Sequence, residues 1–128
     1  MKTEDILNID AEKEDGKRTL NKFLWKIKPL KAKAMKQGIP PRAEYLPLEL
    51  IETAIHGLCS HYGYRTQGIG SYFDSDVFKF YTTCVMNKER KWLGNVYGKT
   101  LWEIETKTLI KIYGLILENK KGKQNENS

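Results

Sequence analysis

Val77-Phe78-Lys79-Phe80-Tyr81-Thr82-Thr83-Cys84-Val85 decides the fold of this 128-residue chain. Val77, Phe78, Tyr81, Cys84 and Val85 recur at steps of one, three, three and one, which is the spacing of a helix face. The same residues are rich in β-branched and aromatic types, which suit strands. Strict alternation puts Lys79 on one face with Val77 and Tyr81 and polarises the segment poorly. The spacing therefore predicts a helix over about 76–90. The expected fold class is mainly α, one compact four-helix domain with disordered ends. The alternative is α+β, with a short hairpin around residues 77–97 formed by this segment and Lys91 to Tyr97.

Three other helices are expected. Leu20, Phe23, Leu24, Ile27, Leu30 and Ala34 make an amphipathic stripe over about 19–37, with Thr19 as N-cap and Gly38 as a left-handed stop. Pro29 cannot donate to the carbonyl of Trp25, so it kinks this helix or splits it near Lys28. A helix over about 47–62 begins with Pro47, whose missing N–H costs nothing in the first turn, and stops at Gly63. The last, over about 101–119, opens with a capping box. Thr100 caps it, and Glu103 is placed to reach back to the cap's own N–H. Its two adjoining apolar stripes make it central to the core. Lys120 and Lys121 complement its negative end, and Gly122 stops it.

Charge divides the chain further. Residues 1–15 carry six acids against two bases, a charge of −4, whereas Lys17 to Arg42 carries nine bases and no acid. Residues 1–16 are expected to be an acidic flexible segment, 17–119 a single globular helical domain, and 120–128 a disordered polar tail. The apolar runs are far short of the roughly 20 residues of a membrane span, and Met1-Lys2-Thr3-Glu4-Asp5 lacks a secretory core. Two cysteines do not make a disulfide framework, so a cytoplasmic location with reduced Cys59 and Cys84 is expected.

The basic stretch carries the main functional signal. On a continuous helix, Lys22, Lys26, Lys33 and Lys36 fall on one arc opposite the apolar stripe, and Trp25 lies beside them. Lysines in a row can follow phosphates, and an indole beside them can stack on an unpaired base. A second basic group, Lys88, Arg90 and Lys91, precedes Trp92, and Arg42 offers a further phosphate contact. The competing role for these lysines is solvation of an outer face.

Other constellations are weaker. His56, Cys59 and His61 lack the paired ligand spacing of a structural zinc site. Asp74 and Asp76 suit helix capping better than a nuclease centre. Gly94 to Thr100 ends in Gly-Lys-Thr but lacks the first glycine of a phosphate-binding loop, because that position is Leu93. Tyr62, Tyr64, Tyr72 and Phe73 are expected to pack into the core or, alternatively, to form a protein-binding hot spot.

The sequence thus points to a small non-enzymatic nucleic-acid-binding protein, a candidate subunit of a larger nucleoprotein assembly, with RNA or single-stranded DNA favoured. No metal, cofactor or membrane is expected. The alternative is a protein-binding adaptor or inhibitor whose basic face meets an acidic partner.

Overall fold

The computed structural model describes residues 3–39 and 45–126, with side chains described through residue 120. Five helices and four strands follow in the order α1 (Thr3–Leu7), α2 (Glu14–Leu24), α3 (Lys28–Lys36), α4 (Leu48–Tyr62), β1 (Arg65–Thr66), β2 (Gly70–Asp74), β3 (Val77–Met86), β4 (Trp92–Gly98) and α5 (Leu101–Glu126). This is an α+β fold, not a four-helix bundle. The segment expected as a third helix is the central strand β3.

The sheet is antiparallel. β4 pairs along one side of β3, from Tyr81 to Met86. β1 and β2 share the other side, β1 at Val85–Met86 and β2 at Val77–Thr82. The sheet has two bulges, and the one on β3 explains the misleading spacing. Tyr72 pairs with Phe80 but Phe73 with Phe78, so Lys79 is an extra residue on β3. The bulge turns one step of two into a step of three. Phe78 and Tyr81 then share a face, with ring centroids 4.8 Å apart, and the strand imitates a helical i, i+3 contact. Likewise Val85 pairs with Gly94 and Met86 with Trp92, which makes Leu93 the extra residue on β4.

Helix α5 covers one face of the sheet and packs against α4, α2 and α1. The core lies between these layers and includes Leu20, Leu24, Ile51, Val85, Ile104 and Ile112. α4 runs to Tyr62 and ends at Gly63, whose φ of 81° is the left-handed stop expected. The basic helix is split. α2 ends at Leu24, Ile27 is extended, and α3 restarts with Pro29 in its first turn. Thr19 lies inside α2 rather than capping it. α5 continues past Gly122 to Glu126.

Glu103 joins the layers. The Glu103 N–H donates to Thr100 Oγ1 at 3.1 Å, but the Glu103 carboxylate accepts the Lys99 N–H at 2.8 Å rather than that of Thr100. It also accepts the Ala11 N–H at 3.3 Å and meets Lys107 Nζ at 3.4 Å, with both side chains buried. Ile6 of α1 is buried in the same core.

Candidate nucleic-acid interface

The face of the sheet turned away from α5 is open. Residues directly paired in an antiparallel sheet share a face, so the register reads this surface row by row. Arg65, Met86 and Trp92 form one end. Cys84 with Asn95 comes next, then Gly70, Thr82 and Tyr97, then Tyr72 with Phe80. Trp92 is 60% exposed, Tyr72 50% and Tyr97 49%. Tyr72 stacks on Phe80 at 4.9 Å with nearly parallel rings, and Phe80 meets Tyr97 edge-on at 5.4 Å.

Polar bonds fix the rings at the other end. Trp92 Nε1 donates to Asn95 Oδ1 at 3.0 Å, and Asn95 Nδ2 donates to Tyr97 OH at 3.2 Å. Asn95 therefore holds both side chains in place and keeps unused donor and acceptor capacity toward solvent.

The turn before Trp92 is built to present charge. Asn87 Oδ1 accepts the N–H groups of Glu89 at 3.0 Å and Lys91 at 2.9 Å, and Arg90 takes a left-handed φ of 65°. Lys88, Arg90 and Lys91 are all exposed. Arg65 lies in the Trp92 row and Lys91 adjoins Trp92 in the chain, while the Lys88 stem lies against Gly63 at the end of α4; Glu89 is the only acid in the turn. The structure thus puts the basic turn that carries Lys88, Arg90 and Lys91 directly before the exposed Trp92.

It does not do so for the helical group. Lys22 sits on α2, Lys26 in the connector, and Lys33 and Lys36 on α3, so the single arc of a continuous helix is not formed. Lys26 Nζ lies over the Phe23 ring at 4.8 Å, and Lys33 is half-buried. Trp25 packs against the core, and its Nε1 is buried without a hydrogen-bond partner among the described residues. That indole is half-buried against the core rather than standing free beside the lysines. Arg42 lies outside the described residues.

Sequence reasoning passed over Phe80, Asn95 and Tyr97, and offered Tyr72 only as a core or protein-contact residue. Tyr72 and Phe73 are exposed rather than packed in the core, whereas Tyr64 is buried. The signal was the strand chemistry of 77–85, which places Phe80 and Thr82 on a common face once β3 is recognised. Asp74 and Asp76 cap no helix, because Asp74 ends β2 and Asp76 lies in the β2–β3 turn. His56 and Cys59 border a cleft of about 340 Å³ with Tyr64 and Lys88. Burial raises the Cys59 thiol pKa, which disfavours the thiolate. Among the described residues, no three metal-ligating side chains gather, and no helix is long and apolar enough to cross a membrane.

Comparisons of the chain with protein-family models, curated proteins and solved structures give no match.

Proposed function

We propose that this chain is a small non-enzymatic protein that binds single-stranded nucleic acid, RNA or DNA, across the open face of its sheet. The carrying observation is the row of solvent-facing rings, Trp92, Tyr97 and Tyr72 with Phe80, that begins at Arg65 and the end of the basic turn 88–91. Every base has a π-face, so stacking on such rings tolerates many sequences, while cations at the edge take up the phosphate backbone. A duplex hides the faces of its bases, so single strands are the better fit. Asn95 adds an amide edge suited to hydrogen bonding with an unpaired base.

The test is fluorescence anisotropy of labelled single-stranded and double-stranded DNA and RNA at two salt concentrations. Micromolar or tighter binding is expected, stronger for single strands and falling steeply with salt. No binding at low salt, or equal affinity for duplexes, overturns the reading.

The α2–α3 surface supports a second reading. Lys22, Lys26, Lys28, Lys31 and Lys36 are exposed there without an aromatic platform. A surface of charge alone suits an acidic protein partner, and the chain then acts as an adaptor or inhibitor. A salt-sensitive complex with a purified acidic protein, insensitive to loss of Trp92, would favour it.

A further inference from the structure

The two edges of the sheet are treated differently. Along β4, residues Asn95, Val96 and Tyr97 share a cleft of about 520 Å³ with Glu4, Leu7 and Asn8, so the α1 end of the chain borders that edge. Beyond β2 there is no further strand among the described residues, and all five residues Gly70–Asp74 are exposed. An unpaired edge presents a row of free N–H and C=O groups. Natural sheets blunt such edges with lysine, proline, bulges or a covering element. β2 reads Gly-Ser-Tyr-Phe-Asp and carries neither lysine nor proline. Its one bulge lies on the β3 side, at Lys79.

We infer that β2 pairs antiparallel with β2 of a second copy of this chain, joining two sheets into one across a two-fold axis. An antiparallel edge is complementary to itself in its hydrogen bonds, and a two-fold contact uses the same patch on both copies. A register centred on Tyr72 pairs all five residues. It sets Tyr72 opposite its own counterpart, Ser71 opposite Phe73, and Asp74 opposite Gly70. The only charged residue of the strand therefore never faces itself, and like charges directly opposed are what such a register must avoid. The side chains agree with this. Tyr72 on one face and Phe73 on the other are 50% and 56% exposed, and the second copy covers both. The hairpin is held open toward solvent by a two-residue turn in which Ser75 and Asp76 both have positive φ, a turn whose twist matches the strands.

The contact is short, below the roughly 1,200–2,000 Å² of a stable interface, so association is reversible, with a dissociation constant in the micromolar range. This pairing does not depend on nucleic-acid binding, and its test contains none.

Sedimentation velocity of the full chain over a wide concentration range should show a monomer giving way to a dimer. Tyr72→Lys and Tyr72→Glu should each weaken association at least about tenfold, because each opposes like charges across the axis. An equal mixture of the two variants should recover it. Wild-type protein that stays monomeric throughout overturns the inference, as do variants that associate like wild type or a mixture that does not recover. If a charged variant loses its far-ultraviolet circular dichroism, Tyr72→Cys decides instead. Opposed residues in this register lie within disulfide reach, so mild oxidation should yield a cross-linked dimer that wild type does not form. A variant that remains uncross-linked overturns the pairing.

Discussion

The two faces of the sheet are cut from the same strands and have opposite fates. Toward α5, Thr83, Val85, Val96 and Gly98 are buried, and Gly98 sits so close to the helix that a Cβ there would come within 2.7 Å of the Ile104 nitrogen. On the other side, Tyr97 lies between Val96 and Gly98 in sequence and is half exposed. Of the large apolar residues left exposed among those described, Tyr72, Val77, Trp92 and Tyr97 lie on this open face by register, whereas Phe73 and Phe78 lie on the other face near the β2–β3 turn. Single exposed apolar residues are ordinary, but a contiguous set marks a contact surface. The inner face therefore holds the fold together, and the outer face is free to bind.

That division can be broken by experiment. The largest loss of stability is expected from Glu103→Ala, which strands the buried Lys107 ammonium and frees the Ala11 and Lys99 N–H groups. About 3–5 kcal/mol should disappear in urea denaturation, with binding by the surviving folded fraction unchanged. Gly98→Ala should cost about 1–3 kcal/mol, because the Ile104 backbone must shift. A Gly98→Ala protein as stable as wild type would show that α5 does not press on β4.

The outer face should respond the other way. Trp92→Ala should lower single-strand affinity by about 1–3 kcal/mol, roughly five- to 150-fold, and change stability by less than about 0.5 kcal/mol. The cations sharpen the contrast. Replacing Lys88, Arg90 and Lys91 with Gln should reduce the salt slope by about 0.7 for each phosphate that is no longer neutralised. The same change at Lys22, Lys26, Lys33 and Lys36 should leave the slope unaltered. The reverse result moves the interface back to the helices.

The smallest effect concerns Glu105, on the helical side. Burial first, then the charge of Glu52, raises its carboxyl pKa above 4.5, and His56 opposes this. A raised acid favours the folded state in its protonated form, so stability falls as pH rises from about 4.5 through the folded-state value. Glu105→Gln should flatten that fall in thermal unfolding and raise the melting temperature at neutral pH. An unchanged pH profile would show that Glu105 is fully hydrated.

What could be read in the sequence was whatever local chemistry controls. Gly63 ends α4, Thr100 starts α5, and Pro29 divides the basic segment, because caps and prolines act within a few residues. β3 could not be read in this way. Its polarity depends on strands elsewhere in the chain and on a bulge at Lys79, which only pairing reveals. The site followed the same rule. Lys88, Arg90 and Lys91 stood out by composition, but Tyr72, Phe80 and Tyr97 come from three strands and meet only through register. Trp25 misled because an exposed position on a long helix becomes a packed one where the helix breaks.

Cys84 lies on the open face and yet is only 8% exposed. Its Sγ is 3.2 Å from Gln67 Oε1, and the Gln67 backbone is bonded to Thr83 and Cys84. A thiol reagent can reach it only when the segment around β1 lifts. Its labelling rate is therefore a clock for local opening in an otherwise intact molecule, and anything that settles on the sheet should slow that clock without touching the sulfur.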